Sequence, residues 1–204
     1  MKLLFLHGLG QDAQSWEHTI KHLEYNDIVC PDIIPKDTDN ITFRSLADAL
    51  EAKMNNDSEP VVICGLSLGA VLAIELYLRK PDVVSELILI APQYKAPTKM
   101  IDLQNILFRL MPKKAFSEAN VTKNNMISIS ASMRLLDYSD RLKDITCPVC
   151  IVCGENDRAN KKAAINMSRV LPDSRLEMVQ MAGHEVNLDA PRELANIIKT
   201  SLNK

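Results

Sequence analysis

The chain has 204 residues, with 47% hydrophobic and 25% charged residues, the balance of an ordinary globular protein with a full core. Its formal net charge of −2 gives no electrostatic case for binding nucleic acid or an anionic membrane. No apolar run approaches the ~20 residues that span a bilayer.

The first segment, Lys2 to Leu6, reads as a strand that begins almost at the first residue. Its apolar run is too short for a secretory leader, so a cytoplasmic protein is expected. His7-Gly8-Leu9-Gly10 is the loop after it. Ser15 to Glu24 reads as a helix with Trp16, Ile20 and Leu23 on one stripe, and Asp27 to Cys30 as a second strand. A Pro- and Asp-rich loop covers 33–40. Thr42 then caps a helix running to about Met54, and the residues up to Pro60 break it.

Val61-Val62-Ile63-Cys64 is a short buried strand that leads into Gly65-Leu66-Ser67-Leu68-Gly69. From Leu68 to Arg79 the pattern turns helical. Strand, Gly-x-Ser-x-Gly and helix together form the setting of a nucleophile elbow. The turn strains Ser67 and points its hydroxyl off the sheet. The two glycines let strand and helix approach closely. The alternative is a Gly/Ser turn without chemistry.

Glu86 to Pro92 supplies a fourth strand, after which the alternation stops. Helical fragments at 99–111, 113–119 and 122–136 follow, rich in Met and Leu. So long an excursion from a parallel sheet reads as a lid. Most of its apolar stripes are expected to pack on the body, and a few to line a pocket. Strands at 148–153 and 175–179 and helices at 161–171 and 191–202 complete the alternation. The pattern argues for a parallel sheet covered on both faces.

A serine needs a base and the base an acid. His184 follows the last strand, and Asp157 follows the strand before it. Loops at the C-terminal edge of a parallel sheet are where catalytic groups collect. Glu155 is the main rival for the acid and Asp189 a weaker one. Backbone N–H groups of Leu68 and Leu9 are the nominated oxyanion donors. His7 is expected to brace its loop, and His18 and His22 to lie on a solvated helix face. Of the five cysteines, Cys150 and Cys153 fall three apart on a strand, point to opposite faces and cannot share a metal ion.

With these motifs in hand, the sequence resembles the α/β-hydrolase fold family, especially its small bacterial serine esterase-like members. The match rests on His7-Gly8-Leu9-Gly10, Gly65-Leu66-Ser67-Leu68-Gly69, Gly154-x-x-Asp157 and Gly183-His184 with Pro191 downstream. The resemblance implies one α/β-hydrolase domain over 1–204, a Ser67–His184–Asp157 triad, no cofactor and no metal, and a helical lid over about 94–140. Family members commonly carry two further strands before the His-Gly strand, so a trimmed, predominantly parallel sheet of six strands is expected, with helices on both faces. An apolar entrance formed by Leu9, Trp16, Leu68, Tyr94, Met100 and Phe108 implies a small-molecule ester with a small or medium acyl group. A thioester, a lactone or a carbon–carbon bond would suit the same triad. A ligand-binding protein with a vestigial triad is the reading from another class. No nucleic acid or membrane partner is expected, and the oligomeric state stays open.

Overall fold

The computed structural model describes residues 1–35, 38–54, 59–116 and 121–203. Six strands form one sheet in the order β2-β1-β3-β4-β5-β6, with every pairing parallel. They are β1 (Lys2–Leu6), β2 (Ile28–Val29), β3 (Val61–Leu66), β4 (Val84–Ile90), β5 (Val149–Gly154) and β6 (Ser174–Val179). Helices α1 (Glu17–Leu23), α2 (Phe43–Met54), α3 (Leu68–Arg79), α4 (Thr98–Leu110), α5 (Lys123–Ser132), α6 (Lys161–Val170), α7 (Val186–Asp189) and α8 (Pro191–Leu202) complete the chain. No described helix is long and apolar enough to cross a membrane.

The period-2 geometry of the strands sorts their side chains into two core layers. Leu4, Leu6, Ile63, Leu87 and Ile151 pack with α2, α3 and α6. Leu3, Phe5, Val62, Cys64, Ile88 and Val152 pack with α1 and α8. Burial on both faces is why the central strands read as continuous apolar runs. Cys153 lies in the first layer and Cys150 in the second, so the two thiols do face opposite ways.

Several boundaries differ from the sequence reading. A 3-10 turn, Ala13–Trp16, precedes α1 because the Asp12 carboxylate accepts the Gln14 N–H and starts the turn early. β2 is reduced to two residues at the sheet edge, paired only through Leu3↔Ile28 and Leu4↔Val29. β4 starts at Val84 because a register shift at Val61/Val62 admits it, and it ends where Ala91 takes φ 48°. α5 ends at Ser132, short of Leu136. The expected helix at 113–119 is a 3-10 turn over Lys113–Phe116, and its last three residues lie outside the described ones.

The segment between β4 and β5 carries α4 and α5, which pack on each other. Its far end is tied to α3, where the Tyr138 hydroxyl donates to Glu75 at 2.7 Å. Glu75 in turn accepts from Arg79, which also reaches Asp48 and Glu51 on α2. Its apolar stripes are divided otherwise than expected: Ile101, Phe116 and Met126 are buried, but Leu107, Leu110 and Met111 are exposed.

The tightest passage is where β3 turns into α3. A Cβ on Gly69 would lie 2.1 Å from the Leu6 carbonyl oxygen, and one on Gly65 would lie 2.3 Å from the Gly69 carbonyl oxygen. Both obstacles are backbone, so no side chain can swing away. Gly69→Ala is therefore expected to lower stability by roughly 3 kcal/mol or more, read as a fall in Tm by thermal unfolding. An unchanged Tm would mean that β1 and α3 are not held at this spacing.

Candidate active site

Ser67 stands between β3 and α3 with φ 53° and ψ −109°, a region that non-glycine residues enter only under constraint. Its N–H donates to the Ile90 carbonyl at 2.9 Å, which anchors the turn to the end of β4. The chain leaves β5 at Gly154 and reaches Asp157 three residues later; it leaves β6 at Val179 and reaches His184 five residues later. All three side chains therefore stand at the C-terminal rim of one parallel sheet. Ser67, Asp157 and His184 line the same cavity, of about 400 Å³.

His184 Nδ1 lies 2.9 Å from Asp157 Oδ2. The Asp157 carboxylate is nearly sealed from water, whereas the imidazole is 42% exposed on the cavity side. Burial pushes the Asp157 pKa up. Hydrogen bonds from His184 and Asn160 outweigh burial and hold the group below the usual carboxylate range, so it stays charged beside the imidazole. The rival acids do other work. Asp189 Oδ2 accepts the Gly183 N–H at 2.7 Å, and Glu155 Oε2 faces the Met181 N–H at 3.4 Å.

The loops carrying Asp157 and His184 are sewn together. The Asn156 N–H donates to the Ala182 carbonyl at 2.9 Å. A Cβ on Gly154 would fall 2.0 Å from the Gly183 carbonyl oxygen, so only glycine permits this contact. The loop after β1 joins them through Gln11. Its Oε1 accepts the Gly8 N–H, while its Nε2 donates to Glu185, the neighbour of His184.

His7 braces that loop as expected. It is buried, its Nε2 accepts the Ile33 N–H at 3.1 Å, and its Nδ1 lies 2.9 Å from the Gly8 carbonyl. These two bonds fix the neutral tautomer with Nδ1 protonated, and burial lowers its pKa in the same sense. Leu9 and Leu68 line the cavity beside Ser67. Among the described residues, neither amide N–H donates to a protein acceptor. His18 and His22 lie exposed on α1. Among the described residues, no group of three His, Cys, Asp or Glu side chains is placed to hold a metal ion.

Of the expected entrance residues, Tyr94, Met100 and Phe108 line the cavity, with Phe108 set edge-on to Phe116 at 5.8 Å between ring centroids. Trp16 does not. The turn at Ala13–Trp16 rotates its indole into the second core layer, where it is fully buried and tilted against Phe5 at 5.0 Å. A large apolar ring that can reach a core face gains more there than at a mouth open to water.

Asn160 escaped the sequence reading. Its Nδ2 lies 2.8 Å from Asp157 Oδ2 and 2.9 Å from His184 Nδ1. Its amide orientation follows from neighbours. Gln93 Nε2 donates to the Ala159 carbonyl, which can only accept, so the same Nε2 meets Asn160 Oδ1 at 2.7 Å as a donor. That leaves Asn160 Nδ2 facing the acid. The only sequence signal was an Asn three residues after the Asp, at the start of a helix.

A family model described as the alpha/beta hydrolase family matches residues 3–197. The chain belongs to this family. The Biotin biosynthesis bifunctional protein BioHC of Teredinibacter turnerae is 25% identical across 99% of this chain and 44% of its own length, so the chain spans under half of that relative. The pimeloyl-[acyl-carrier protein] methyl ester esterase of Aromatoleum aromaticum is 26% identical over 97% of this chain and 96% of its own. A thermophilic esterase from Thermogutta terrifontis superposes with a TM-score of 0.84 at 18% identity, covering 100% of this chain and 89% of that one. These similarities establish an alpha/beta hydrolase fold for the chain.

Asn160→Leu keeps the volume and removes the donor. It is expected to lower kcat by roughly tenfold to a hundredfold with little change in KM, since it misplaces the acid without touching substrate. A rise in KM at constant kcat would instead mark Asn160 as a substrate contact.

Proposed function

We propose that this protein is a serine hydrolase of carboxylic esters, a carboxylesterase for small to medium acyl groups working through an acyl-enzyme. The observation that carries the reading is the buried, charged Asp157 bonded to a half-exposed His184 on the same cavity as a strained Ser67. Ser67 Oγ attacks the ester carbonyl carbon while His184 Nε2 takes its proton. The carbonyl electron pair moves to oxygen, and the Leu9 and Leu68 amides receive the oxyanion. Collapse breaks the bond to the alcohol oxygen, which leaves with the proton from His184. Water then attacks the acyl-enzyme, His184 takes the water's proton, and the acid departs as Ser67 is reprotonated.

The cavity volume lies within the roughly 300–1,000 Å³ of small-molecule sites. The segment that spans it lends aliphatic and thioether groups to its walls, and we take that segment as a lid over the acyl chain. The same triad would serve a thioester, lactone or carbon–carbon bond, and the assignment to esters leans on the methyl ester esterase relative. Five unpaired cysteines, three of them buried, fit a reducing cytoplasm.

Short-chain p-nitrophenyl esters test the reading. Many turnovers are expected from the wild type, with kcat falling by roughly 10⁴–10⁶ in Ser67→Ala and by about 10⁴ in Asp157→Asn. A single stoichiometric burst, or activity that survives Ser67→Ala, would contradict it and favour a binding protein on this fold.

A further inference from the structure

The cavity is apolar on its α4 and α5 side, yet two polar side chains open into it. α5 carries three serines in its second half, and they behave differently. Ser128 donates to the Ile41 and Asn125 carbonyls, and Ser132 donates to the Ile129 carbonyl. Ser130 lines the cavity, is only 4% exposed, and has no hydrogen-bond partner for its hydroxyl among the described residues. Met126, one turn before it, and Met133, just past the helix end, line the cavity too. Across the α4–α5 seam, Gln104 lines the cavity and its carboxamide also lacks a protein partner among the described residues.

Several other polar walls are engaged. Gln93 and Asn160 serve the acid loop, Tyr138 serves Glu75, and Lys95 is paired with Asp137 at 2.8 Å. The Ser130 hydroxyl opens on the cavity and is committed to no protein group among the described residues, so it can donate to or accept from a group bound there. Its cavity-lining neighbours Met126 and Met133 are uncharged, so an ionised substrate group would find no counter-charge on this wall. An uncharged oxygen function, a ketone or a hydroxyl, meets both conditions.

We propose that Ser130, supported by Gln104, forms a polar subsite that selects esters carrying an uncharged oxygen function on the chain lodged between α4 and α5. This rests on the hydrolase reading for the identity of the reacting bond but not for the subsite itself. A site built to hydrogen-bond a substrate group rejects the analogue that lacks it far more strongly than an apolar pocket rejects a missing methylene.

Two arms test it. In the first, wild-type kcat/KM is compared for p-nitrophenyl pentanoate against its 4-oxo analogue and for p-nitrophenyl hexanoate against its 5-oxo analogue. On the alcohol side, butyl butyrate is compared with 3-oxobutyl butyrate. At least one pair is expected to favour the oxo ester by tenfold or more, and that ratio should fall towards one in Ser130→Ala and persist in Ser130→Thr. In the second arm, calorimetry measures binding of the same pairs to Ser67→Ala protein, where no turnover is needed. The oxo preference should reappear there and be lost in the Ser67→Ala/Ser130→Ala double variant. Turnover of plain and oxo esters at equal kcat/KM in every pair, or a preference that Ser130→Ala leaves intact, overturns the subsite while sparing the hydrolase reading. Preferential oxo-ester binding without wild-type turnover does the reverse.

Discussion

The site depends on one constrained turn. Ser67 occupies a backbone region that costs of order 1–3 kcal/mol for a residue with a Cβ, and the surrounding structure must hold it there. Three contacts do so: the Ser67 N–H to the Ile90 carbonyl, the Gly65–Gly69 crossing, and the approach of Gly69 to the Leu6 carbonyl. Each reaches into a strand buried on both faces, so relaxing the turn would mean shifting the centre of the sheet. The stiffness of the core is what allows a strained, partly accessible serine to persist at its rim.

Around that turn, the other functional loops are aligned by short hydrogen bonds rather than by long-range charge. Asp157 illustrates the balance. Burial alone would favour its neutral form. The Ala159 and Asn160 backbone amides, the Asn160 side chain and the His184 ring supply enough donors to keep it ionised. Gln11 extends the stitching from the loop after β1 to the histidine loop. The segment between β4 and β5 enters this frame through Gln93, which donates to Ala159 and Asn160. That segment supplies most of the cavity wall and is fastened by Tyr138, Glu75 and Arg79 at its far end and, along α5, by bonds of Asn125, Ser128 and Ser132 to Thr38, Ile41 and Phe43. Ser67, Asp157 and His184 are therefore carried at the rim of the sheet, and most of the cavity wall by the helical segment.

What could be read from the sequence follows that division. β3, Ser67 and α3 were legible because a buried strand, a glycine-flanked serine and an amphipathic helix each leave a local pattern. Asp157 and His184 could be singled out because they follow strands, whereas their bonding distance, and the backbone N–H partners of Glu155 and Asp189, exist only in the fold. Trp16 was misplaced because a local Asp12 cap, invisible to periodicity, turns its ring inward. Gln93 and Gln11 had no signature, and Asn160 only its place three residues after Asp157, since their contacts form across loops separated by up to 174 positions. α7 is four residues long, below the length at which helical spacing can be recognised.

The account's central claim is that Ser67 is an activated nucleophile because His184 and Asp157 make it one. Mass spectrometry after exposure to a fluorophosphonate probe tests this without any assumption about substrate. One adduct per chain, mapped to Ser67 and formed at least a hundredfold more slowly in His184→Ala, is the predicted result. Labelling that is absent, that falls on another residue, or that proceeds at the same rate without the imidazole would contradict it.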